Sequence, residues 1–178
     1  MEFLRNIRLI QGGMGVFVSS WGLARAVAQQ TPGITAGTVS GTALDVVHMR
    51  LLQLGDPGGH LRRALEAYDA VTGGATGQKI LERYFIKDGK PPDWRFRGAP
   101  VITVHPASAK VPLPVPGEPL EPIPLEMNPD AIETLVATTF AEVWLAKEGH
   151  TGRVFINFLK KIELPLVYSM YGAMLAGV

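Results

Sequence analysis

One unit recurs three times along this chain: a short apolar run, a tip of glycine or small polar residues, and an apolar pattern at helical spacing. In the first unit Ile7, Leu9 and Ile10 lead into Gln11-Gly12-Gly13-Met14-Gly15. Ser20 then stands as an N-cap before Trp21, Leu23, Ala24, Val27 and Ala28, and Thr31-Pro32-Gly33 ends the helix. The second unit has Ile34, Ala36 and Val39, the tip Ser40-Gly41-Thr42, and a helix carrying Leu44, Val46, Val47, Met49, Leu51 and Leu52. The third runs as a strand from Arg153 to Leu159 with Asn157 near its end. Pro165 opens its helix, with Val167, Tyr171, Met174 and Leu175 inward and Gly177 at the C-cap position. Parallel strands joined by crossover helices are the standard solution for such a repeat, and they bring the strand C-terminal ends to one edge. Open α/β sheets and β/α barrels both hold their ligands on that edge. Gln11, Gly12, Gly13, Met14, Ser40, Gly41, Thr42 and Asn157 are therefore expected on a shared rim.

Between the second and third units lies an insertion of about residues 56–128. It begins with two short amphipathic helices, one through Leu61, Ala64, Leu65 and Tyr68 and one from Gln78 to Phe85, joined by a flexible link over Thr72–Gly77. From Lys90 onward, prolines at 91, 92, 100, 106, 112, 114, 116, 119, 122 and 124 leave room for one strand, Val101–Val104. The rest reads as a covering strap held partly in polyproline II. Asn128-Pro129-Asp130 then starts a long helix, with Ile132, Leu135, Val136, Thr139, Phe140, Val143, Trp144 and Ala146 on one broad face. The sequence stops at Gly177-Val178, where a fourth strand is expected, so the pattern reads as the first part of a longer repeat or as one needing a partner at its open sheet edge.

Composition removes several function classes. Seventeen basic and 16 acidic side chains give a net charge of +1, which argues against a nucleic-acid or polybasic membrane partner. With no cysteine, thiolate catalysis, disulfides and iron–sulfur sites are excluded, and a reducing, cytoplasmic setting fits. The N-terminal apolar run is broken by Gln11 and glycines, unlike a signal peptide. The uncharged stretch Leu164–Val178 falls short of the roughly 20 residues needed to span a bilayer.

The chemistry-bearing side chains form no metal or hydrolase pattern. His48, His60, His105 and His150 have no ligand spacing, and cap, turn or surface roles suit them better. Asp45, Asp56 and Glu142 are candidate general bases outweighed by solvated or helix-capping roles. Ser19 and Ser20 lack a nucleophile elbow. A Rossmann-like nucleotide site is disfavoured, because Gly12-Gly13-x-Gly15 departs from the dinucleotide fingerprint and no acidic residue ends the second strand.

Five segments occurring in order carry a resemblance: Ile10–Val16, Val39–Leu44, Asp56–His60, Trp144–His150 and Tyr171–Val178. Together they resemble the N-terminal portion of nitronate monooxygenase-like (2-nitropropane dioxygenase-like) flavoproteins, a group that also includes enoyl reductase subunits of polyunsaturated fatty-acid synthases. The resemblance implies an α/β fold that is a partial (β/α)8 TIM barrel: its first three β/α units, within one domain over residues 1–178, carrying FMN at the strand C-terminal ends. It implies an FMN-dependent oxidoreductase that oxidises small nitronates or nitroalkanes with oxygen. Gln11, Gly12, Gly13 and Met14 would lie along the flavin ring, Ser40, Gly41 and Thr42 at the second strand end, and Asn157 near the ring. Lys161, just beyond, would support negative charge on reduced flavin. The alternative is a non-catalytic α/β interaction domain that self-associates through its open sheet edge.

Overall fold

The computed structural model describes residues 6–106, 125–161 and 163–178. The prolines from 112 to 124, and with them most of the expected strap, lie outside the described residues. Within them the protein is an α/β fold with a three-stranded, open, parallel sheet. The elements run β1 (Leu9–Ile10), α1 (Trp21–Gln30), β2 (Thr35–Ser40), α2 (Leu44–Gln53), α3 (His60–Thr72) and α4 (Thr76–Tyr84). They continue with β3 (Val104–Pro106), β4 (Leu125–Met127), α5 (Pro129–Lys147), β5 (Arg153–Asn157) and α6 (Leu166–Leu175). The sheet order is β1-β2-β5, with Leu9 opposite Thr35 on one side and Ala36 to Ser40 opposite Arg153 to Asn157 on the other. The three repeated units thus form one parallel sheet.

Central β2 is buried along its whole length. Its residues are small because α1 lies directly against it: a Cβ added at Gly37 would stand 1.8 Å from the Ala24 carbonyl oxygen. Ala24, Ala28, Val39, Val143, Ala146, Val154 and Ala173 form the core beneath the sheet. A second core joins Met49, Leu52, Leu65, Tyr68, Ile80, Tyr84, Phe140 and Leu145 from α2, α3, α4 and α5. Two helices of the expected insertion therefore supply a main packing layer. Buried on nearly every side, α5 has 13 buried residues and joins both cores, which is why its apolar pattern is broad.

Several expectations are corrected. The apolar character of the first strand suits burial, yet Leu9 and Ile10 are 57% and 56% exposed, because β1 is a two-residue edge strand paired, among the described residues, on one side only. Val167 and Met174 of α6, expected inward, are 68% and 65% exposed, and Tyr171 also faces out. The buried residues are Ser169, Gly172 and Ala173, since α6 meets α5 so closely that a Cβ at Gly172 would lie 2.4 Å from the Val136 carbonyl oxygen. Small side chains mark the closest contact of that helix, with Tyr168 and the expected Leu175 packed half-buried against the core beside them. The expected strand at 101–104 begins only at Val104, and it pairs antiparallel with β4. Between α3 and α4 the link is a tight turn: Gly73 adopts φ +68° at the α3 C-cap, and the Asp69 carboxylate accepts from the Gly77 and Gln78 N–H groups.

Helix ends show where polar residues earn their place. Helix α5 starts where Asn128-Pro129-Asp130 is expected to start it, and the Asn128 side chain caps it by accepting from Asp130 N–H at 3.1 Å. The Asp56 carboxylate accepts from the Leu61 and Arg62 N–H groups at 3.0 Å each, holding the start of α3. Ser20 sits at the N-cap of α1 but makes no side-chain cap bond, and a distant carboxyl group takes its role, as described below.

At the far end of α5, Glu148 receives a two-point contact from Arg63 at 2.8 and 2.9 Å and a third bond from Arg25 at 3.3 Å, tying α1, α3 and α5 together. Arg63 holds the Glu148 carboxyl below its ordinary value of 4.5, against the opposing effect of burial. A depressed folded-state pKa means that the stabilisation is fully present above the unfolded value and is lost as pH falls through the folded one. Stability measured by urea unfolding is expected to decline below about pH 4.5, and Glu148→Gln to flatten that decline while lowering stability at pH 7.

Candidate functional site

Parallel pairing brings the C-terminal tips of β1, β2 and β5 to one edge. Ser40 is directly opposite Asn157, and Gly41 N–H donates to the Asn157 carbonyl at 2.9 Å. Gln11 N–H continues the β1–β2 ladder by donating to Ala36 O at 3.0 Å. The eight residues expected on the rim are therefore gathered there, though they play different parts.

Gln11 and Ser40 act within the protein. Gln11 Oε1 accepts from Thr38 N–H at 2.9 Å, while its Nε2 donates to Ser19 Oγ at 2.9 Å and to Gly12 O at 2.7 Å. Ser19 Oγ in turn accepts from Met14 N–H at 2.9 Å. Ser40 is buried, and its hydroxyl donates to Gly15 O. These bonds fold residues 11–19 into a fixed loop over the strand ends. Ser19, fully buried, is the hub that sequence reasoning missed: the sequence raises it only as a nucleophile, and its partners Gln11 and Met14 lie in the loop rather than at helical spacing.

The surface-facing groups are Gly12, Met14 and Asn157, with Gly13, Gly41 and Thr42 half-buried between them. Asn157 Nδ2 lies 3.4 Å from Gly13 O, and a Cβ at Gly13 would meet Asn157 Oδ1 at 2.1 Å, whereas a Cβ at Gly12 would meet nothing within 4 Å. Gly13 leaves room for the Asn157 amide against the loop, and Gly12 leaves its backbone open to a ligand. Lys161 is exposed beyond the rim.

Beneath this loop lies a feature the sequence did not disclose. His48 and Glu142 are both buried, with His48 Nε2 2.8 Å from Glu142 Oε2; burial overturns the surface role expected of His48 and the solvated alternative for Glu142, whose helix-capping alternative holds. Glu142 Oε1 also accepts from Trp21 N–H at 2.5 Å, so this α5 carboxyl caps α1 from 121 positions away. The other ring nitrogen, His48 Nδ1, has no hydrogen-bond partner among the described residues, and Phe17, at φ +58°, meets the ring edge-on at 6.5 Å. The dyad joins α1, α2 and α5 under the rim. Periodicity could not find it, because the two partners stand 94 positions apart on different helices.

Beside the rim a cavity of about 360 Å³ opens between the start of α2, residues 99–102 and the segment leaving β5. Its wall is apolar apart from Thr42, Asp45 and Ser169. Burial raises the Asp45 carboxyl above its usual value, against hydrogen bonding from backbone N–H groups of its own turn and the attraction of His48. Among the described residues no cluster of three or more His, Asp or Glu could hold a metal ion, and no helix is long and apolar enough to cross a membrane.

The site and topology define an α/β protein with a glycine-lined rim at the C-terminal edge of an open parallel sheet. Comparison with protein families, curated proteins and solved structures returned no match to this chain.

Proposed function

We propose that the chain is an FMN-dependent oxidoreductase of nitronate monooxygenase type, acting on a small-molecule substrate in the cytoplasm, with its sheet forming the first part of a β/α barrel. The observation that carries this reading is the shared rim. Three parallel strand tips stand side by side, the loop after β1 offering the exposed backbone of Gly12 and the apolar Met14, β5 the exposed amide of Asn157, and the β2 tip the half-buried Gly41 and Thr42. Such a surface fits a flat heteroaromatic ring, which needs close backbone approach, an apolar face and a few directed polar groups. The bonds from Gln11, Ser19 and Ser40 support it by holding the loop in place before any ligand arrives.

The chemistry supplied by bound FMN is acceptance of electrons from a nitronate and their return to oxygen. The chain's own residues bind and orient. The exposed Asn157 amide offers both a donor and an acceptor to the ring edge. Exposed Lys161 offers a cation to negative charge developing nearby.

Titration of the protein with FMN, followed by flavin fluorescence and absorbance, tests this. Saturable binding is expected. Gly12→Leu should weaken it at least about tenfold, by filling the ring's place, while leaving the urea midpoint unchanged, since nothing surrounds a Cβ there. Absence of FMN binding, or a Gly12→Leu variant that binds normally, would count against the reading.

The second reading, a non-catalytic interaction domain, is favoured by one specific observation: Leu9, Ile10, Met14, Val16 and Val18 are all exposed along or next to the β1 edge. It predicts self-association that Ile10→Lys abolishes. Sedimentation velocity across a hundredfold range of concentration would show a single monomeric species if that reading is wrong.

A further inference from the structure

We infer that the cavity beside the rim is a ligand site of its own, taking an apolar molecule that carries a cationic amine, with the amine on Asp45. The inference stands on the cavity and goes beyond the flavin reading, which it does not require.

Three observations converge. The cavity, about 360 Å³, lies at the lower end of the roughly 300–1,000 Å³ range of small-molecule pockets and suits a short alkyl or aryl group. Leu135, Val101 and Phe158 supply apolar wall from three separate parts of the chain. The Phe158 ring fits there because Gly41 has no side chain: a Cβ at Gly41 would lie 2.6 Å from it. Within the cavity, Asp45 is the single acidic side chain, and among the described lining residues no basic one accompanies it.

That charge decides the ligand class. A carboxylate or nitronate would enter an apolar space against a fixed carboxyl group and find no cation there. An ammonium group would find an acceptor whose charged form burial disfavours, so ligand and site relieve each other's desolvation. Asp45 makes no ion pair among the described residues that would have to be broken first. Thr42 and Ser169, also lining the cavity, add hydroxyl groups for the remaining ammonium protons.

The test compares n-hexylamine, n-hexanol and hexanoate, titrated into the full chain without flavin and followed by amide chemical shifts in two-dimensional NMR. Hexylamine is expected to bind about tenfold more tightly than hexanol, in keeping with a hydrogen bond to a charged group. Hexanoate should bind weakest, and the shifts should centre on residues 41–46 and 164–169. Asp45→Asn, a near-isosteric change at a half-buried position, should bring hexylamine to the level of hexanol while leaving hexanol unchanged. Equal affinity for the three compounds, preference for hexanoate, an amine preference that survives in Asp45→Asn, or shifts elsewhere would overturn the inference. Because no flavin is present, these outcomes are independent of FMN binding.

Discussion

Glu142→Ala is expected to lower the free energy of unfolding by about 3–5 kcal/mol, the cost of breaking a buried polar pair from one side. The carboxyl group makes two contacts in a fully buried position, to His48 Nε2 at 2.8 Å and to Trp21 N–H at 2.5 Å. Removing it strands both, beside a His48 Nδ1 that has no partner among the described residues. It also leaves the start of α1 without a cap, because Ser20 does not supply one. Glu142→Gln should recover part of the loss, since its amide oxygen can still accept from Trp21. Urea unfolding measures both, and a loss below about 1 kcal/mol for Glu142→Ala would place the dyad among weak surface pairs.

Gly37→Ala is expected to cost about 3 kcal/mol or more, at or beyond the upper end of ordinary overpacking. The added Cβ would lie 1.8, 2.5 and 2.7 Å from the oxygen, carbonyl carbon and Cα of Ala24, all backbone atoms that no rotamer change can move. Helix α1 would have to lift off β2, and with it the Ser19 hub that fixes the rim loop. Gly12→Ala, with nothing within 4 Å of its Cβ, is the control and should stay within about 0.5 kcal/mol. Comparable urea midpoints for the two variants would refute the close packing of α1 on β2.

The parallel sheet was legible because each strand ends in small polar or glycine residues and is followed by a helical apolar period. The start of α5 at Asn128-Pro129-Asp130 was legible for a similar reason: a helix start held by local geometry and a local hydrogen bond leaves a local sequence mark. What escaped were consequences of long-range packing. The capping of α1 by Glu142 spans 121 positions, and no window along the chain contains both partners. In α6 the apolar residues outnumber what the helix buries, and Gly172 rather than Met174 decides which face meets α5. The exposure of β1 follows from its being an edge, which depends on strand order. At the rim, Gln11 and Ser40 were sound as markers of position, but their polar atoms serve the loop.

The central claim is that the tips of β1, β2 and β5 form one ligand surface. Amide chemical shifts recorded during addition of FMN test it most directly. The account predicts that Gly12, Gly13, Met14, Gly41, Thr42 and Asn157 shift together along a single saturation curve. Shifts confined to one tip, shifts centred elsewhere on the molecule, or none at saturating FMN would contradict it.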